Sequence, residues 1–97
     1  MTNLQSFFIR SNDVSFTQIS QEEIVILSLK DNNFYHLNES AVDLWLSLEI
    51  PKTSENLAQL LADKYAKESE AYKKDVVEWV EDNLQKGLLT IIEKAEN

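Results

Sequence analysis

One histidine, a run of acids around a tryptophan and a complete absence of cysteine set out the chemistry open to these 97 residues. His36 is the candidate base, but general acid–base work needs a nucleophile or an orienting partner, and no recognisable one accompanies it. A lone histidine in a strand reads more often as a surface or packing residue. The carboxylates of "EWVED" (Glu78 to Asp82) lie on one predicted helix with Lys73, Lys74 and Lys86 near them, the pattern of a solvated face. Without Cys there is no thiol catalysis, no thiolate zinc site and no disulfide, and a single Gly leaves no phosphate-cradling loop. No metal or cofactor site is expected, and the chain does not read as an enzyme.

Binding is then the chemistry to look for, and charge narrows it. Nine Lys and Arg against seventeen Asp and Glu give a net charge of -8, most of it in the first half. Polyanions are held by Lys and Arg at phosphates, so nucleic acid and anionic membrane surfaces are poor partners. A basic peptide or protein suits the balance better. No run approaches the ~20 apolar residues of a membrane span, and the start, "MTNLQSFFIRSND", lacks the basic head and apolar stretch of a signal peptide. The sequence is that of a single cytoplasmic domain over residues 1–97, with 43% hydrophobic residues for its core.

The elements that would position a binding surface follow from periodicity. Phe7 to Ile9, "VSFTQI" (Val14 to Ile19), "IVILSL" (Ile24 to Leu29) and Phe34 to Leu37 read as strands, separated by the polar turns "SND", "SQEE" and "KDNN". Asp31 and Asn32 tolerate a left-handed conformation, so Phe34 to Leu37 should pair back on Ile24 to Leu29 as the last strand of an antiparallel meander. The period then changes from two to about 3.6. Asn38 is the expected N-cap and corner of a helix with Ala41, Leu44, Trp45 and Leu48 inward. Pro51 ends it. Thr53 or Ser54 caps a second helix carrying Leu57, Leu60, Leu61 and Tyr65, and "AKESE" (Ala66 to Glu70) breaks it. A third helix presents Tyr72, Val76, Val77, Val80 and Leu84 and stops at Lys86-Gly87. "LLTII" (Leu88 to Ile92) is a short closing strand or extended segment, and "EKAEN" a frayed tail.

Two tryptophans separate under this scheme. Trp45 falls on an inward stripe, whereas Trp79, with Asn83 one turn later, falls at the flank of the third helix, as core edge or as the border of a peptide groove. Three helices followed by a β element also fit a winged-helix DNA reader, but its recognition helix would carry Asp75, Glu78, Glu81 and Asp82 and would repel phosphate.

"YHLNESAVDLW", a Leu-rich helix ending in Tyr65, and "DVVEWVEDNLQKGLL", in that order, resemble the PqqD-like RiPP recognition elements over roughly Val14 to Leu89. The resemblance implies an α+β fold: an N-terminal three-stranded antiparallel sheet packed on a three-helix, winged-helix-like bundle without catalytic activity. It implies that the leader peptide of a ribosomally made precursor adds as a strand to the last sheet strand and lies against the third helix. By position, Asn33, Phe34, Tyr35 and His36 match the receiving strand, and Val76, Trp79, Val80 and Asn83 the helix side of the groove. "LEIPKTS" (Leu48 to Ser54) departs from the Asp-Gly turn of many relatives. The chain looks most like the free-standing proteins of lasso-peptide pathways, whose partner is a transglutaminase-like leader peptidase. A radical-SAM enzyme, as in pyrroloquinoline quinone assembly, is the alternative partner.

Overall fold

The computed structural model describes residues 6–65 and 68–93. Four strands come first: β1 (Ser6–Arg10), β2 (Val14–Ser20), β3 (Glu23–Ser28) and β4 (Phe34–Asn38). Three helices follow, α1 (Ser40–Ser47), α2 (Ser54–Tyr65) and α3 (Ser69–Gln85), and β5 (Leu89–Glu93) closes the chain. The expected α+β order is therefore present. The expected break at Ala66 to Glu70 falls partly on residues 66–67 and the expected tail mainly on residues 94–97, both outside the described residues.

β2, β3 and β4 form one antiparallel meander in that order, with Ile26 opposite both Phe16 and Tyr35. The hairpin into β4 turns at Asn32, whose φ of 59° is the left-handed conformation that asparagine tolerates. Alternation puts Ile24, Ile26, Tyr35 and Leu37 on the helix-facing side, where Ile24 and Ile26 are fully buried. β1 stands apart from the meander. It pairs with β5, Phe8 opposite Ile91, and its other side is bridged to the loop after α1, where Phe8 N–H donates to the Lys52 carbonyl at 2.8 Å and Lys52 N–H returns the bond at 3.0 Å. The unusual "LEIPKTS" loop thus covers part of an otherwise open strand.

The corner between β4 and α1 differs from the expectation. Asn38 remains in the strand, and the turn is made by Glu39, at φ 56° and ψ -129°, with no side-chain cap on the helix. Glu39 N–H donates to the Glu22 carbonyl at 3.1 Å, so the corner stays tied to the sheet through its backbone, and that tie replaces a capping side chain. α2 is capped as expected: Thr53 Oγ1 accepts from Asn56 N–H at 3.0 Å while Asn56 Oδ1 accepts from Thr53 N–H at 3.1 Å, a reciprocal capping box. α3 ends in a Schellman motif, Leu88 N–H to the Asn83 carbonyl and Gly87 N–H to that of Leu84, with Gly87 at φ 78°.

The core joins both sheets to all three helices. Trp45, Leu48, Leu57, Val76, Val80, Leu88 and Leu89 are its buried centre. α3 is rotated from the predicted stripe: Val76, Val80 and Asn83, spaced four and three residues apart on one face, are buried, while Val77 is exposed.

Candidate functional site

β4 is an edge strand, and which of its groups are free follows from the ladder. Ser28 N–H donates to the Asn33 carbonyl at 2.8 Å and Glu39 N–H to that of Glu22, so hydrogen-bonded pairs fall at Asn33, Tyr35, Leu37 and Glu39. The alternate residues, Phe34, His36 and Asn38, direct their N–H and C=O groups away from β3, toward the open edge. Three donor–acceptor pairs are thereby presented in a row.

Beneath that edge lies a cleft of ≈ 410 Å³ between β4 and the C-terminal half of α3, closed at one side by Ala41. Tyr35 and Leu37 turn their side chains to the cleft side of the sheet, and Phe34, His36 and Asn38 turn theirs to the opposite, exposed face. α3 contributes Trp79, half-buried, together with Asp82, Asn83 and Lys86. Asn83 is buried, and its Nδ2 donates to the Trp79 carbonyl at 2.8 Å, which fixes its side chain along the wall. Lys86 pairs with Asp82 at 2.9 Å and places its ammonium 5.3 Å from the centre of the Tyr35 ring. Floor and walls are thus aromatic and amide, with one ion pair at the mouth.

Beyond Asn38 the next residues, Glu39 and Ser40, line a larger cavity of ≈ 800 Å³ with Glu22, Asp43, Tyr65 and Tyr72. Asp43 there accepts from Lys64 Nζ at 2.7 Å and from the Tyr65 hydroxyl at 2.6 Å, latching the end of α2 to α1. These bonds raise the pKa values of both Lys64 and Tyr65.

The structure brings Phe34, Tyr35, His36, Trp79 and Asn83 to the cleft. Asn33 does not line it and lies in the turn before β4, with its N–H on Asp31 Oδ1. Val76 and Val80 do not reach the cleft: at 1% and 2% exposed they are core. Position 80 therefore reports on folding and not on binding, since a charge there would be buried unpaired. The His36 imidazole lies 3.5 Å from the Glu23 carboxylate on the exposed face of the sheet. Asp82 and Lys86, which the sequence pattern assigns to a solvated face, also line the cleft; Asp82 lies three residues beyond Trp79 and Lys86 four beyond Asp82, on the same flank of α3. Among the described residues no group of His, Cys, Asp and Glu could hold a metal ion, and no helix is long and apolar enough to cross a membrane.

An open strand edge over an amphipathic cleft beside a helix is a geometry that an extended peptide can join as an added strand. Residues 23–89, from β3 to the first residue of β5, match the family model described as coenzyme PQQ synthesis protein D (PqqD), and the chain belongs to that family. No curated protein matches it in sequence. Among solved structures it is similar to TbiB1 in complex with the TbiA(beta) leader peptide, with a TM-score of 0.76 over 84% of this chain and 93% of that one at 22% identity, a likeness of fold.

Proposed function

We propose that this protein binds the leader segment of a ribosomally made precursor peptide, acting as one recognition domain, by taking the leader as a fourth strand on the free edge of β4. The observation that carries the reading is the row of unpaired groups at Phe34, His36 and Asn38 above a cleft walled by Tyr35, Trp79 and Asn83. Main-chain bonds to that row give sequence-tolerant affinity, and leader side chains at alternate positions enter the cleft and give selectivity. Membership of the PqqD family and likeness to a fold solved with a leader peptide support it. The acids Glu22 and Glu39 beyond the end of the strand favour a leader with a basic residue next to its bound stretch.

The protein does no chemistry in this reading. It presents the leader to a processing enzyme, a transglutaminase-like leader peptidase of a lasso-peptide pathway. The family description, coenzyme PQQ synthesis, favours a second recipient, a radical-SAM enzyme. Such an edge and cleft bury about 1,200 Å² in total, the lower end of specific interfaces.

The test is a titration with the leader of a precursor encoded beside the gene, following backbone amide shifts. Saturable shifts confined to residues 33–38 and to α3 around Trp79 and Asn83 are expected. Saturable binding that leaves β4 unshifted would overturn strand addition here.

A further inference from the structure

The meander has a second open edge, and it too lies over a cavity. Leu29 N–H donates to the Asp13 carbonyl at 2.8 Å, so Ser15 and Thr17 are bonded to β3, while Val14, Phe16 and Gln18 direct their backbone groups outward. β2 carries neither a charged residue nor a proline, the usual guards of an exposed edge. Beside it, in the wedge where β1 diverges from β2, is a cavity of ≈ 320 Å³ lined by Arg10, Ser11, Phe16, Trp45 and Glu49 among others.

Three features leave this cavity short of acceptors, although the protein as a whole is acidic. The Arg10 guanidinium lies 4.8 Å from the centre of the Phe16 ring and 5.6 Å from that of Trp45, and makes no ion pair within 4.0 Å among the described residues. Partial burial lowers its pKa against the opposing pull of Glu49, as for a cation short of a counter-charge. The third feature is the Trp45 indole N–H, which is buried and has no acceptor among the described residues. Trp45 is wholly buried, and an unmatched donor there carries an uncompensated desolvation cost.

We infer that the β2 edge and the Arg10–Trp45 wedge form a second peptide site, taking an extended segment of a partner protein that carries a carboxylate. The segment pairs with Val14, Phe16 and Gln18, and one acidic side chain, directed to the inner face, meets Arg10. Phe16 already stands edge-on to Trp45, at 5.7 Å and 84°, so the wedge is held open by packed aromatics. This site is separate from the leader cleft: β3 lies between the two edges.

The probes are two five-residue peptides, Thr-Val-Asp-Val-Thr and Thr-Val-Lys-Val-Thr, acetylated and amidated, titrated into the intact protein while backbone amides and the Trp45 indole N–H are followed by NMR. Saturable shifts at Val14 to Gln18 and at the Trp45 indole are expected with the Asp peptide, and binding at least about tenfold weaker with the Lys peptide, the scale of one charge-assisted bond. N-methylation of alternate peptide residues should abolish the shifts, Arg10→Gln should weaken binding about tenfold with the spectrum still folded, and Glu49→Gln should strengthen it. Equal response to both peptides, shifts at β4 instead of β2, or no saturable shift would each overturn the inference. Leader binding is tested separately, with the leader itself, at residues 33–38.

Discussion

Glu39 sits in a backbone conformation that its residue type disfavours. Its φ of 56° with ψ of -129° is glycine's territory, and an L-residue held there stores roughly 1–3 kcal/mol of strain. Glu39→Gly relieves the strain and adds backbone freedom to the unfolded chain, so a net gain of about 1 kcal/mol is expected, seen as a higher midpoint in urea unfolding. The Asp43 latch makes a second prediction. Lys64 and Tyr65 both hold their protons more tightly when folded, chiefly through hydrogen bonds to Asp43. Each pKa is raised, so their contribution to stability is complete below the ordinary values near 10 and is lost as pH climbs through the shifted ones. Unfolding midpoints should fall above about pH 10 and Asp43→Asn should flatten that fall; an identical alkaline slope in the variant would refute the latch.

Among the elements, β4 divides cleanly into residues that hold the sheet and residues that face outward. His36→Pro removes an N–H that β3 does not use, so the fold should survive while leader affinity drops about tenfold or more in calorimetry. Tyr35→Pro removes one that β3 does use and should destabilise the fold itself, as circular dichroism on heating would show. Much of this arrangement was readable in advance. The period-two runs gave the meander, the Asn32 turn and the Thr53 cap were written in residue type, and Gly87 marked the end of α3. Three things were not. A helix's inward stripe is decided by what packs on it, so Val77 and Asn83 exchanged places. The corner fell on Glu39 because a backbone bond to Glu22 outweighed the capping propensity of Asn38. The pairing of β1 with β5 joins segments about eighty residues apart, and no local pattern announces such a partner.

At the scale of the whole molecule, a charge of -8 acts on every partner before contact. Adding two Lys residues to a leader just outside its bound stretch should tighten binding several-fold at 20 mM salt, and the gain should vanish at 0.5 M, where the screening length is only a few ångströms. If the gain persists at high salt, direct contacts rather than the general field are responsible. The same charge has a further part to play, because the meander is open at both ends. Edge β2 of one molecule and edge β4 of another can join head to tail, a contact that repeats without closing and so builds chains rather than dimers. Mutual repulsion opposes this in dilute solution, but a leader lying on β4 opposes it at any salt concentration, by occupying one of the two ends. Cargo then doubles as a stopper: in concentrated solution at high salt, light scattering should rise with time for the empty protein and stay flat once leader is added.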